Sequence, residues 1–184
     1  MNLPNKLTVL RVALIPFFVA AMMLTGKFYN VCIFIGLFIF IAASVTDWLD
    51  GKIARKHGLV TTFGKFLDPL ADKILVVTAL ICFLAQRPMW VDAVAVILIL
   101  AREFMVSGVR LVVANEGVVV PAGILGKLKT AFTMIAIVAI MLLEGLGIHN
   151  IWVNEILIWI AALLTVVSGI QYLAAYWKYI DSSK

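Results

Sequence analysis

Six apolar runs dominate this sequence, and each is close to the roughly 20 residues that a helix needs to cross a bilayer. The 184 residues are 64% hydrophobic and only 14% charged, which lies outside the usual composition of a soluble domain. We therefore predict an all-α integral membrane protein that forms a single domain over residues 1–184. The six predicted transmembrane helices cover residues 8–25, 31–48, 69–84, 90–113, 125–143 and 151–176.

The first residues of the chain are polar and precede the first apolar run. Pro4 and Asn5 favour a short interfacial segment that lies on the membrane surface ahead of the first helix. Asn5, Thr8 and Arg11 are spaced three apart, so they could face the aspartate-rich stretch at residues 47–72. They could equally serve as helix-capping residues and as an arginine that snorkels to the interface. Both interpretations are open from the sequence.

The basic residues are distributed unevenly between the predicted loops. Only Lys27 and Arg87 lie in the loops after the first and third helices, and the loop over residues 144–155 has no Lys or Arg. The other thirteen of the fifteen lie near the two termini, around residues 47–72, or in the second half of helix four and the first turn of helix five. The positive-inside rule then predicts a multi-pass protein of the cell (inner or plasma) membrane with both termini cytoplasmic. The net charge of +5 is explained by this orientation and an anionic lipid surface, so we expect no nucleic-acid partner.

Four of the ten acidic residues are concentrated in one 26-residue stretch, where they form two pairs. Asp47 and Asp50 are three residues apart, and Asp68 and Asp72 are four apart. Each pair therefore lies on one helix face. Gly58 between them favours the turn of a helical hairpin, into which we expect the second and third helices to extend. Facing carboxylates cannot all stay ionised without a cation, and oxygen ligands favour Mg²⁺ or Mn²⁺, so we predict a site for two divalent cations on the cytoplasmic side.

The residues around these pairs indicate what else binds there. Arg55 follows Asp47 by eight residues and suggests an anion alongside the metals, since a diphosphate needs both metal and arginine. Gly51 and Gly64 would let such a group approach the backbone, although close helix packing would also explain them. A cluster of carboxylates within a membrane is also found along ion pathways, so a divalent-cation transporter is the non-enzymatic alternative.

The same stretch resembles the signature of the CDP-alcohol phosphotransferase family, which reads DxxDGxxAR, eight residues, then GxxxDxxxD. All eight fixed positions agree, namely Asp47, Asp50, Gly51, Ala54, Arg55, Gly64, Asp68 and Asp72. The resemblance implies transfer of a substituted phosphoryl group from a CDP-linked donor to a hydroxyl, with release of CMP. It implies that the four aspartates hold the two metals and that Asp72 is also the general base. It further implies a CDP pocket formed by Asn5, Gly51, Ala54, Arg55 and Gly64.

A second polar group lies near the end of the fourth run and the start of the fifth. Arg102 and Glu103 fall within apolar sequence, where unpaired charge is unfavourable, and Arg110 lies eight residues after Arg102 on nearly the same helix face. Lys127 and Lys129 open the fifth helix, where cations oppose the helix dipole and therefore favour an anionic partner. Contact with anionic lipid heads is the alternative explanation of the two lysines.

Three further segments, NLPNKLTVLR, AREFMVSGVR and GKLKT, resemble the phosphatidylglycerophosphate synthase branch of the family. This implies CDP-diacylglycerol as donor, glycerol 3-phosphate as acceptor, and a homodimer. The residues then expected to bind the acceptor phosphate are Thr8, Arg102, Arg110, Lys127 and Lys129, with Arg110 and Lys127 in direct contact. The same chemistry with inositol phosphate, phosphatidylglycerol or serine as acceptor is the alternative.

Overall fold

The computed structural model describes residues 3–24, 26–57, 62–86, 89–115 and 123–177. Within its helices, the side chains at 3–7, 47–57, 62–70, 72, 114 and 115 are outside the description. The described part of the chain contains six α-helices and no strand, which confirms the all-α prediction. They are α1 (Leu3–Met23), α2 (Tyr29–His57), α3 (Thr62–Ala85), α4 (Ala93–Asn115), α5 (Ile124–Gly145) and α6 (Ile151–Tyr176).

The apolar lengths of the helices identify a membrane protein. Three segments of the described chain are long and apolar enough to cross a bilayer, and they are Tyr29–Thr46, Ile124–Gly145 and Ile151–Tyr176. Two shorter apolar helical segments, Thr8–Met23 and Lys73–Ala85, belong to α1 and α3. The count of six spans and the cytoplasmic termini stay predictions.

The N-terminal segment differs from the expectation. α1 begins at Leu3, so the residues expected to precede the first helix as a separate interfacial segment are its first turn. Pro4 is compatible with this, because the N–H groups of a first helical turn have no partner within the helix. By contrast, α2 continues to His57 and α3 begins at Thr62, as expected for helices that extend into the motif. Gly58, the predicted turn, lies outside the described residues.

The helices group into two compact units. The first comprises Met1–Met89 and Ile137–Asn150, and the second comprises Trp90–Ala136 and Ile151–Lys184. In the first unit, α1 packs along both α2 and α3, and α2 also contacts α3. Phe18 of α1 and Phe40 of α2 are fully buried there, with ring centroids 6.1 Å apart. α1 is therefore the central helix of this unit.

A buried amide joins three helix ends in the first unit. Gln86 Nε2 donates a hydrogen bond to the Met22 carbonyl oxygen at 2.8 Å, and the Tyr29 hydroxyl donates to Gln86 Oε1 at 3.0 Å. Met22 lies at the end of α1 and Tyr29 at the start of α2, and Gln86 directly follows the last residue of α3. Because Gln86 is buried, these bonds satisfy a polar group that would otherwise be unfavourable.

In the second unit, α4 packs along α6. Small residues on α6, such as Ala161 and Ala162, are fully buried and allow the close helix approach that is typical of membrane proteins. Asp92 begins α4, where its Oδ1 accepts a hydrogen bond from the Val94 backbone N–H at 2.7 Å. Hydropathy alone predicted a start at Trp90. The capping bond from Asp92 explains why α4 instead starts at Ala93.

Removing this cap is expected to weaken the second unit. Asp92→Ala should lower the free energy of unfolding by about 1 kcal/mol, because one N–H of the first turn loses its acceptor. Asp92→Asn keeps an acceptor oxygen and should retain most of the stability. Thermal unfolding in detergent measures both variants, and equal losses for Ala and Asn would contradict the capping role.

Candidate active site

The signature aspartates lie on two helices that contact each other. Asp47 and Asp50 are in the last turns of α2, and Asp68 and Asp72 are in the first half of α3. The side chains of the four aspartates lie outside the described residues, as do those of Asn5, Gly51, Ala54, Arg55 and Gly64. The metal and CDP sites therefore stay predictions. Among the described side chains, no group of three His, Cys, Asp or Glu residues could hold a metal ion.

The helix that packs against both signature helices carries two buried polar side chains. Thr8 is 0% exposed and Arg11 is 1% exposed. Thr8 is the sixth residue of α1 and so is not its cap, and Arg11 does not extend to solvent. The capping and snorkelling interpretation is therefore wrong for these two residues, which face inward from α1.

The second unit contains a buried ion cluster of three side chains. The Glu103 carboxylate oxygen Oε1 lies 3.3 Å from Arg102 Nη1 and also pairs with Lys129 Nζ. The side chains of Arg102, Glu103 and Lys129 are 8%, 18% and 10% exposed, respectively. One carboxylate thus serves two cations, which makes charge in this apolar environment tolerable. Lipid-head contact therefore does not account for Lys129.

α6 holds the Arg102 side chain in place. Arg102 Nη2 donates a hydrogen bond to Ser168 Oγ at 2.7 Å. At the next residue, Gly169, an added Cβ would lie only 2.7 Å from Arg102 Cγ. Arg102 Nε is buried and has no hydrogen-bond partner within the described structure. The arginine therefore packs tightly against the backbone of α6.

The second arginine of α4 is held by an aromatic residue of α6. Arg110 Nε donates a hydrogen bond to the Tyr172 hydroxyl oxygen at 3.3 Å, and its guanidinium carbon lies 5.6 Å from the Tyr172 ring centroid. Arg102 and Arg110 both contact α6, which confirms that they share a face of α4. Arg110 is exposed, as is Lys127 in the first turn of α5.

The four predicted phosphate-binding cations therefore divide into two kinds. Arg102 and Lys129 are buried and share Glu103, whereas Arg110 and Lys127 are exposed. Thr8 belongs to the first unit and the four cations to the second. Sequence reasoning missed the contribution of α6, from Ser168, Gly169 and Tyr172. The available signal was their spacing, since polar and small residues recur on one face of an otherwise strongly apolar helix.

Comparison with known proteins decides the family. Residues 1–167 match the family model described as CDP-alcohol phosphatidyltransferase. The chain belongs to the CDP-alcohol phosphatidyltransferase family. It is accordingly a transferase, and enzymes of this family generally depend on divalent metal ions. The matched residues include both the aspartate signature and the ion cluster of Arg102, Glu103 and Lys129.

Several bacterial members of the CDP-alcohol phosphatidyltransferase family are similar to the chain over nearly its whole length. A CDP-diacylglycerol–glycerol-3-phosphate 3-phosphatidyltransferase of Bacillus subtilis (strain 168) is 42% identical, covering 99% of this chain and 98% of the relative. An enzyme of the same name from Rickettsia bellii is 44% identical, covering 97% of each chain. A probable phosphatidylglycerophosphate synthase of Mycobacterium tuberculosis (strain H37Rv) is 40% identical, covering 94% of this chain and 80% of the relative.

Proposed function

We propose that the protein transfers the phosphatidyl group of CDP-diacylglycerol to glycerol 3-phosphate, giving phosphatidylglycerophosphate and CMP. The observation that carries the proposal is the whole-length similarity, at 42–44% identity, to enzymes named for this reaction. The charges of the second unit support it, because glycerol 3-phosphate carries a dianionic phosphate. Of the four predicted phosphate-binding cations in this unit, only Arg102 and Lys129 pair with the Glu103 carboxylate among the contacts described.

The exposed cations are the proposed direct contacts for the acceptor phosphate. Arg110 and Lys127 are both exposed, and arginine can bind phosphate with two parallel hydrogen bonds. Arg102 and Lys129 are buried and paired with Glu103, so they contribute positive charge without direct contact. Thr8 is proposed as a further acceptor contact, and its complete burial on α1 is compatible with an inward-facing role.

The proposed metal ligands are Asp47, Asp50, Asp68 and Asp72, holding two ions of Mg²⁺ or Mn²⁺. The donor set fits this group, because it consists of carboxylates on two helices in contact, and hard cations prefer oxygen ligands. When bound, such ions neutralise and orient a diphosphate. The proposed CDP pocket consists of Asn5, Gly51, Ala54, Arg55 and Gly64.

In the proposed reaction, Asp72 takes the proton from a hydroxyl of glycerol 3-phosphate. The hydroxyl oxygen then bonds to the phosphorus that carries the diacylglycerol. The bond from that phosphorus to the bridging oxygen breaks, and CMP leaves with the electron pair. Arg55 orients the diphosphate through charge-assisted hydrogen bonds, so that the attacking and leaving oxygens lie in line.

The proposed location is the cell membrane, which the chain crosses six times. Both termini and the active site then lie on the cytoplasmic side. The chain is proposed to form one domain over residues 1–184 and to assemble as a homodimer. The distribution of Lys and Arg among the loops supports the orientation. The resemblance to the family supports the dimer. The lipid tails of the donor would then remain in the bilayer during the reaction.

A panel of acceptors tests the proposed function. Purified protein receives CDP-diacylglycerol and Mg²⁺ with glycerol 3-phosphate, inositol phosphate, phosphatidylglycerol or serine, and CMP release is measured. We expect CMP with glycerol 3-phosphate alone. Release with another acceptor would change the substrate, and no release with any acceptor would favour cation transport.

Arg110→Ala is expected to affect the acceptor selectively. Loss of hydrogen bonds to a charged group corresponds to about 1.5–3 kcal/mol, so the KM for glycerol 3-phosphate should rise by roughly 10- to 150-fold. The KM for CDP-diacylglycerol should stay within about twofold, since Arg110 is assigned no donor contact. Lys27→Ala, which removes another exposed cation, is the matched control and should change neither constant. Equal changes in both constants for Arg110→Ala would remove Arg110 from the acceptor site.

A further inference from the structure

We propose that one face of α6 positions the acceptor site, with Gly169 and Tyr172 as positioning residues for the two arginines of α4. The inference rests on the proposed function, in which these arginines bind the acceptor phosphate. It assigns a contribution to acceptor affinity to residues of α6, which lie outside both the aspartate signature and the basic segments.

The first contact acts through the lack of a side chain. A Cβ at position 169 would lie 2.7 Å from Cγ, 3.4 Å from Nε and 3.6 Å from Cδ of Arg102. Cγ lies near the base of the arginine, so swinging the guanidinium away does not relieve the overlap. The whole side chain has to change rotamer, which disrupts its hydrogen bond to Ser168 and its ion pair with Glu103.

The displacement would not stop at Arg102. Glu103 Oε1 also pairs with Lys129 Nζ, so a shifted Arg102 disturbs the carboxylate that holds the lysine of α5. Two of the four proposed phosphate-binding cations thus depend on the space left by Gly169. A methyl group at this position should therefore weaken acceptor binding even though it adds no charge.

The second contact orients a side chain that solvent would otherwise leave mobile. The Tyr172 hydroxyl accepts from Arg110 Nε, and the ring lies against the guanidinium. Because Arg110 uses Nε for this bond, its two terminal guanidinium nitrogens have no partner among the described residues. They are therefore available for bidentate contact with a phosphate. Tyr172 in turn packs against Tyr176, with ring centroids 4.8 Å apart.

The two contacts lie on the same side of α6. Arg102 contacts Ser168, and Arg110, which is later on α4, contacts Tyr172, which is later on α6. The two helices therefore run in the same direction. Ser168 and Tyr172 are four residues apart, about one helical turn. A single stripe of α6 thus fixes both arginines.

The test uses Gly169→Ala and Tyr172→Phe in the full-length protein, with matched controls. Gly108→Ala adds the same methyl group on α4, where no atom lies within 4 Å among those described, and Tyr176→Phe removes a neighbouring hydroxyl. We expect the KM for glycerol 3-phosphate to rise at least tenfold in Gly169→Ala and about three- to tenfold in Tyr172→Phe. The KM for CDP-diacylglycerol should stay within about twofold in both variants, and the controls should match the unsubstituted protein.

Equal changes in the two KM values, or controls that behave like the test variants, would overturn the inference. If Gly169→Ala does not fold, Tyr172→Phe decides alone, and Tyr172→Ala should be more severe because it also removes the ring. Should the unsubstituted protein release no CMP with glycerol 3-phosphate, the proposed function fails. Calorimetric binding of inorganic phosphate then decides the inference separately, since weaker binding in both test variants supports it and unchanged binding overturns it.

Discussion

Replacing Asp72 by Asn is expected to reduce kcat by at least a hundredfold while leaving the binding of CDP-diacylglycerol largely intact. A positioned general base contributes about 10²–10⁴ in rate, and an amide of the same shape cannot accept the proton of the attacking hydroxyl. The remaining three aspartates keep most of the proposed metal ligand set. The variant therefore separates proton transfer from donor binding.

The Asp72→Asn measurement is a turnover assay with both substrates saturating, paired with a direct binding measurement for the lipid donor. Asp92→Asn is the matched control, because the same substitution at the start of α4 removes a carboxylate with no assigned role in the chemistry. It should leave kcat within about twofold. If Asp72→Asn retains a similar rate, the general base is a different group.

The second large effect is expected on stability, at the carboxylate that serves two cations. Glu103→Gln leaves Arg102 and Lys129, both largely buried, without the negative charge between them. Removing one partner of a buried ion pair typically costs about 3–5 kcal/mol. We expect a loss near the lower end, about 3 kcal/mol, since the Glu103 side chain is 18% exposed.

A double-mutant cycle measures the Glu103 effect by equilibrium unfolding in detergent. Lys129→Met alone should destabilise the protein, but Glu103→Gln combined with Lys129→Met should cost less than the sum of the two single changes. This pattern is expected because the double variant removes both the carboxylate and the ammonium group that pairs with it. Strict additivity would mean that the two side chains are not coupled.

The helices themselves were largely predictable, because each apolar run in a membrane protein has few alternatives to a helix. The prediction of 151–176 matches α6 (Ile151–Tyr176), and 125–143 falls inside α5 (Ile124–Gly145). Hydropathy is less informative where helices continue through polar sequence. The second apolar run ends at residue 48, and the continuation of α2 to His57 was expected from the motif hairpin and not from hydropathy.

The candidate site was predictable in its residue types but not in its contacts. Arg102 and Ser168 are 66 positions apart, and no local spacing indicates that they meet. The sequence favoured Arg110 and Lys127 as direct contacts but did not show that packing buries Arg102 and Lys129 and leaves Arg110 exposed. Burial depends on which helices are neighbours, and this is a property of the tertiary fold that the hydrophobic pattern does not specify.

The most direct measurement is the stoichiometry of products, with the lipid product identified by mass spectrometry and CMP quantified in the same reaction. We expect one phosphatidylglycerophosphate for each CMP, and neither product when glycerol 3-phosphate is omitted. Formation of CMP without that lipid would contradict phosphatidyl transfer. The absence of both products, from protein that instead carries divalent cations into sealed proteoliposomes, would also contradict it.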